Sequence, residues 1–170
     1  PSAPLNLTAT YVSDSQINLS WTDTSAYESG FVIEKSIDGG AWAHFATTSA
    51  NAVTSTDSST LADHYYSYRV HSYRGSLASS VVTTTEAVYT TPSAPLNLTA
   101  AYVDDNNVNL TWTDTSTYEN SFKIEIKVDS GSWTVLATTS ANTVTYAVTT
   151  TTIDHGYLFR VRAERTSPSR

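Results

Sequence analysis

Apolar and polar residues alternate along this chain in short runs, broken by turn residues roughly every 8 to 12 positions. In the first half the alternation predicts strands near Leu5–Tyr11, Gln16–Thr22, Gly30–Ile37, Trp42–Thr47, Val53–Asp57, Tyr65–Tyr73 and Ser80–Val88. Asp38-Gly39-Gly40 between the third and fourth strands is a hairpin turn, because Asp and Gly tolerate the positive φ such turns require. Thr, Tyr and Val suit half-buried strands, and few segments carry helical spacing. The pattern predicts an all-β sandwich.

The same pattern then returns. Displaced by about 91 residues, the chain matches itself without a gap, with roughly half of the paired positions identical. Pro1-Ser-Ala-Pro-Leu-Asn-Leu-Thr-Ala9 reappears as Pro92 to Ala100, Trp21 to Ser25 as Trp112 to Ser116, and Ala46 to Asn51 as Ala137 to Asn142. A period of that length is one small domain. The boundaries fall at 1–91 and 92–170, joined by Val88-Tyr-Thr-Thr-Pro-Ser-Ala-Pro95, whose prolines favour an extended path. Two domains set end to end with little hinge motion are expected from that linker.

Comparing the copies shows which face each side chain occupies. Tyr66, Tyr68, Val70 and Ser72 become Tyr157, Phe159, Val161 and Ala163, keeping size, whereas Ser67, His71 and Tyr73 become Leu158, Arg162 and Glu164. Successive residues of a strand face opposite ways, so the first set points inward and the second to solvent. By the same logic Ile17, Leu19, Trp21, Phe31, Ile33 and Ile37 are core.

Several of these motifs, in order, resemble the fibronectin type III domains in the form common in bacterial secreted proteins. They are Pro-x-x-Pro-x-Asn-Leu-Thr-Ala on the first strand, Leu19-x-Trp21 on the second, Gly30-Phe-Val-Ile-Glu34 on the third and Tyr66-x-Tyr68-Arg69-Val70 on the sixth. The resemblance covers the whole chain twice. It implies two tandem seven-strand Greek-key β-sandwiches, with Tyr66 and Tyr157 as corner tyrosines. The stretch Leu61-Ala-Asp-His-Tyr65 lacks the usual Pro-Gly, and the second copy has no leucine to match Leu61.

Composition narrows the partners. The formal net charge is -7, with no run of four or more basic residues, which argues against nucleic acid. No apolar stretch reaches the roughly 18 residues a spanning helix needs, so no membrane insertion is expected. Cysteine and methionine are absent.

Candidate chemistry is sparse. His64 and His155 occupy one loop position in both copies, each after an Asp, and read as a polar loop dipeptide rather than a metal or catalytic site. Asp23/Asp114, Glu28/Glu119 and Glu34/Glu125 recur, but Glu34 alternates against core residues and loop acids such as Asp23 cap turns. No calcium-loop motif occurs, and no cofactor is implied. Arg74-Gly75-Ser76 reads as a turn. Asn6, Asn18, Asn97 and Asn109 each begin an Asn-Leu-Thr or Asn-Leu-Ser sequon. They are either glycan acceptors on the outer face of the first sheet or the ordinary residues of this strand type. Tyr11, Tyr27, Trp42 and their counterparts Tyr102, Tyr118 and Trp133 are candidates for an aromatic platform, although the tryptophans equally suit a cover over the sandwich edge.

The expected function is a non-catalytic extracellular or cell-surface spacer array, part of a longer surface protein, secreted protein or fibre. Its partners would be other domains of the same polypeptide or copies of itself, with covalent glycans on the four asparagines. An adhesion or carbohydrate-binding module is the alternative. Arg170 pairs with Ser79, so the second domain is truncated before its seventh strand. Its sixth strand should then present an open edge, filled by a continuation of the polypeptide or by another molecule's strand.

Overall fold

The computed structural model describes residues 1–166 and divides the chain into two compact units, Pro1–Thr90 and Thr91–Arg170. In the first unit β1 (Leu5–Ser13), β2 (Gln16–Thr22) and β5 (Thr54–Asp57) form one antiparallel sheet in the order β1-β2-β5. The second sheet runs β4 (Ala43–Ser49), β3 (Gly30–Ile37), β6 (Tyr65–Arg74), β7 (Leu77–Ala78), and β8 (Val82–Thr83) and β9 (Val88–Tyr89) also pair with β6. The second unit repeats the plan. β10 (Leu96–Asp104), β11 (Asn107–Thr113) and β14 (Thr145–Val148) make one sheet, and β13 (Thr134–Ser140), β12 (Ser121–Val128) and β15 (Tyr157–Glu164) the other. Among the described residues no helix is long and apolar enough to cross a membrane.

The alternation places the core where it should. Ile17, Leu19, Trp21, Phe31, Ile33, Tyr66, Tyr68 and Val70 pack together in the first unit, and Leu110, Trp112, Phe122, Ile124 and Val148 in the second. Trp21 meets Phe31 at 5.5 Å between ring centroids, and Trp112 meets Phe122 at 5.7 Å. Both pairs are tilted, the arrangement ring quadrupoles favour.

Two expectations need correction, for Ile37 and for the seventh strand. Ile37 is not core: it lies opposite Tyr66 on the inner parity of β3, but at the strand's end, beyond the layer that covers it, and is 42% exposed. The seventh strand is not one continuous element but three short pieces. Around Thr84 the side chain takes over from the ladder, its Oγ1 accepting from Tyr68 N while its own N–H donates to Tyr68 O. Leu61 anchors nothing by its side chain, which is exposed; its backbone N–H donates to the Tyr66 hydroxyl at 2.9 Å. The corner tyrosine therefore grips backbone, which is why the second unit keeps it without a leucine: Thr152 N donates to Tyr157 Oη at 2.8 Å. Tyr66→Phe should lower the first unit's stability by about 1 kcal/mol, the worth of one such bond, in urea unfolding.

The hairpin turn behaves as its residues require. Asp38 and Gly39 both have positive φ (53° and 71°), and Gly40 N closes the turn onto Ile37 O at 2.9 Å. Asp129 holds φ 49° in the second unit. Gly75-Ser76 is a two-residue turn between β6 and β7, with Arg74 opposite Leu77.

The units differ along one edge. β6 pairs with β3 on one side and with β7, β8 and β9 on the other, and Tyr68, Val70 and Ser72 are fully buried. Among the described residues β15 pairs with β12 alone, and Phe159, Val161 and Ala163 are half-buried. Ser167 to Arg170 lie outside the described residues.

Candidate functional site

The recurring carboxylates are each committed to bonds that hold strands and loops. Asp23 Oδ1 accepts from Ser25 N at 2.9 Å and Asp114 Oδ1 from Ser116 N at 3.0 Å, closing the loop after the second strand of each unit. Glu28 and Glu119 are buried, and their Oε1 atoms accept from Asn51 N and Asn142 N, stapling that loop to the turn preceding the fifth strand. Its own backbone N–H and that of Asn51 hold the Glu28 carboxyl below its ordinary value. Glu34 takes a two-pronged bond from Arg69 (2.7 and 2.9 Å), and Glu125 one from Arg160 (2.7 and 3.0 Å), lowering both carboxyls. Bidentate pairs of this kind fix geometry as well as charge.

Each guanidinium also lies over a tryptophan ring, Arg69 over Trp42 at 4.8 Å and Arg160 over Trp133 at 4.5 Å. One face of each indole is thus covered by its own arginine. Tyr11 and Tyr102 donate their hydroxyls to Asp14 and Asp105, and Arg74 lies 5.9 Å from the Tyr27 ring. Five of the six aromatic candidates serve local contacts, and these pairings do not join them into one platform.

The histidines find acids, though not the adjacent ones. His64 Nδ1 meets Asp38 Oδ2 at 2.6 Å, and His155 Nδ1 meets Asp129 Oδ2 at 2.6 Å. The other oxygen of each Asp accepts a backbone N–H, from Tyr65 and from Gly156. The pair pins the third-to-fourth-strand hairpin to the loop before the sixth strand. The signal was present as a repeated separation, Asp38 to His64 and Asp129 to His155, masked by the more obvious Asp-His dipeptides. The Asp129 carboxyl is held below its ordinary value, chiefly by His155. Its stabilising contribution is therefore present above about pH 4 and is lost as pH falls through the depressed value. Asp129→Asn should lower the second unit's melting temperature at neutral pH and leave it nearly unchanged in acid, a comparison two calorimetric scans would make. Among the described residues no group of three metal-binding side chains is assembled.

Sequence reasoning missed one cluster. Lys35 lies on the inner face of β3, its ammonium 2.8 Å from Asp57 Oδ2 and 4.9 Å from the Phe45 ring centroid. Asp57 is fully buried and also accepts from the Tyr68 hydroxyl (2.8 Å), Ser59 Oγ (2.7 Å) and Ser59 N (2.9 Å). Burial pushes its carboxyl up, but bonds from Lys35, Ser59 and Tyr68 outweigh this and hold it low. Burial, with Asp57 beside it, pushes the Tyr68 phenol far up. The signal lay in the repeat: the aligned residues of the second unit are Ile126, Val148 and Phe159.

A cavity of about 270 Å³ opens in the second unit among Tyr102, Val108, Thr151, Thr152, His155 and Tyr157. In the first unit the matching loop is bonded by Thr90, whose Oγ1 donates to Leu61 O at 2.8 Å and accepts from His64 N at 3.0 Å. Val88 and Tyr89 pair with Tyr66 and Tyr65 beside it. The cavity thus corresponds to the position of a strand, not to a pocket with chemistry of its own.

The four sequon asparagines are all exposed. β1 pairs with β2 and β10 with β11, so Asn6 and Asn18 share one outer face and Asn97 and Asn109 the other. Thr8 and Ser20 share a 2.7 Å hydroxyl bond there, as do Thr99 and Thr111. Asn6 and Asn97 hold φ 54° at register shifts of their strands.

This arrangement is similar to known structures over nearly its whole length. A two-domain fibronectin type III segment from chicken tenascin covers 94% of the chain, with 90% of that segment matched, at a TM-score of 0.56 and 13% identity. The fold is that of tandem fibronectin type III domains. The FN1-FN3 domains of chicken CNTN1 match 97% of the chain, with 62% of that structure covered, at a TM-score of 0.51 and 11% identity. In sequence, 130 residues are 31% identical to the receptor-type tyrosine-protein phosphatase eta of Gallus gallus, a match covering 75% of this chain and 9% of that protein. The chain thus spans less than a tenth of that relative's length, and the activity in the relative's name is a statement about that protein. All three are chicken proteins and lend no support to the bacterial form that the motifs resemble. No protein-family model matches the chain.

Proposed function

We propose that the chain is a non-catalytic structural module array of an extracellular or cell-surface protein, acting as a spacer between other domains of its polypeptide or between copies in a fibre. One observation carries this reading. The acids and histidines that recur between the units, the residues an enzyme would have kept for catalysis, are spent in both on the same loop staples, turn caps and hairpin pins. The fibronectin type III fold and the receptor-type relative support the extracellular setting. Turnover assays of the purified chain on glycan, peptide and ester substrates should show none. Activity that disappears in Asp23→Asn or Glu34→Gln would overturn the reading.

The same reading includes glycans at Asn6, Asn18, Asn97 and Asn109, supported by their exposure on the outer faces of the β1–β2 and β10–β11 pairs. Secretion from a eukaryotic host should add mass that an amidase removes, converting these asparagines to aspartates. A secreted product with the mass of the bare polypeptide would remove the glycans from the proposal.

A further inference from the structure

The sixteen carboxylates divide evenly between the two copies, but six of the nine basic residues lie in the second. Four of those six fall on one surface, the outer face of β12 and β15. The register sets Lys123 opposite Arg162, Glu125 opposite Arg160 and Lys127 opposite Leu158. In the first unit the same lattice carries Val32 opposite His71, Glu34 opposite Arg69 and Ser36 opposite Ser67. The Glu–Arg–Trp stack is retained while the positions around it change. Val32, Ser36 and His71 become Lys123, Lys127 and Arg162; the only acid gained is Glu164, in place of Tyr73. Apart from Lys35 and Tyr68, replaced by Ile126 and Phe159, the inner faces of these strands keep their character between the copies, and the added basic residues all lie on the outer face.

Exposure favours the positive charges. The Arg160 and Arg162 side chains are 51% and 56% exposed, against 10% for Glu125 and 23% for Glu164. Arg160 uses Nε and Nη2 on Glu125, and Arg162 uses Nε on Glu164, so each guanidinium keeps N–H groups that these acids do not occupy. Lys123 shares Glu164 with Arg162, at 2.8 Å and with a quarter of its side chain exposed, whereas Lys127 forms no ion pair among the described residues. Acids elsewhere on the chain are screened beyond about 8 Å at physiological ionic strength, so the overall charge of -7 does not cancel this face locally.

We propose that the outer face of β12 and β15 binds an anionic polysaccharide. Cations two residues apart on a strand are spaced by about 6.7 Å and those on adjacent strands by about 4.8 Å, so Arg160, Arg162, Lys123 and Lys127 present charge along the strand direction over about 13 Å. A linear polymer with carboxylates or sulfates repeated along its length meets that row in sequence. Leu158 and Val135, both more than half exposed, flank it and suit the C–H faces of sugar rings. A single-stranded nucleic acid binds best where its bases stack on open rings, and one face of Trp133 is already covered by Arg160. This inference does not depend on the spacer reading, which concerns the scaffold rather than this face.

The test titrates the full chain with heparin, and separately with neutral dextran and single-stranded RNA, by calorimetry at 50 and 150 mM NaCl. Saturable binding to heparin that weakens with salt is expected, with none to dextran and weaker binding to RNA. Lys123→Val, Lys127→Ser and Arg162→His together restore the first unit's residues and should weaken binding at least tenfold. Arg74→Ser, away from this face, should change it less than twofold. Should the triple variant not fold, backbone amide shifts of the unaltered chain on adding heparin must concentrate in Ser121–Val128 and Tyr157–Glu164. No heparin binding at 50 mM NaCl, unchanged affinity in a folded triple variant, shifts confined to other strands, or preference for RNA would each overturn the proposal.

Discussion

Asp57→Ala should destabilise the first unit by about 3–5 kcal/mol, while replacing Lys35, Asp57 and Tyr68 together by Ile, Val and Phe should leave it as stable or more so. Removing Asp57 alone leaves the Lys35 ammonium, 13% exposed, without its counter-charge and with only Ser59 Oγ to accept from it, and the buried Tyr68 hydroxyl without its acceptor. The triple replacement removes donor and acceptor together and fills the space with the residues that the second unit already uses there, Ile126, Val148 and Phe159. Volume-conserving apolar exchange of a buried ion pair is often neutral or stabilising by about 1–4 kcal/mol, because the desolvation cost of two charges vanishes with their attraction. Asp57 has a folded-state pKa below its ordinary value, so its contribution is present above about pH 4 and fades as pH falls through the lowered value. The triple variant should therefore lose the part of the first unit's acid sensitivity that Asp57 supplies. Urea unfolding at pH 7 and pH 3, resolved by unit through hydrogen exchange, decides it; a loss below 1 kcal/mol in Asp57→Ala would show that the network holds nothing.

That cluster also shows where sequence reading stops. Alternation put Phe31 and Ile33 inside correctly, and parity alone puts Lys35 on the same face, but a charge there argues against burial until its partner is known. The partner lies on β5, and nothing local in β3 points to it. Only the repeat does, through three positions that change together from polar to apolar. The same distance effect hid Asp38 and Asp129 from their histidines. Within a strand, period-two alternation, checked against a second copy, recovered nearly every core residue; it failed at Ile37 because parity does not say where the covering layer ends. The broken seventh strand was illegible for another reason. Thr83-Thr84-Thr85 is β-branched and suits a strand, but a threonine hydroxyl can replace a ladder bond, and Thr84 does so at Tyr68. The basic outer face was visible in the copies as a list of exchanges and became a surface only when the register set Lys123 beside Arg162.

Trp112→Ala should unfold the second unit outright, while Trp21→Ala should leave the first folded but weakened. Both indoles are 5% exposed and rest on a buried phenylalanine, so truncation removes a comparable area in each, at a cost of about 3–5 kcal/mol. What differs is the stability from which each unit starts. In the first, β6 is covered on both edges and Tyr66, Tyr68 and Val70 are at most 1% exposed. In the second, Tyr157, Phe159 and Val161 are only half-buried and the core cluster is correspondingly smaller. Domains of this size hold roughly 4–12 kcal/mol in all, so equal losses have unequal consequences. In Trp112→Ala the amides of Ser121–Val128 should exchange within seconds while those of Gly30–Ile37 stay protected; in Trp21→Ala both sets should remain protected, the first with a lower unfolding midpoint. Equal midpoint shifts in the two variants would mean that the half-covered β15 sheet is no weaker than its counterpart, and the difference in burial between the copies would then have no energetic meaning.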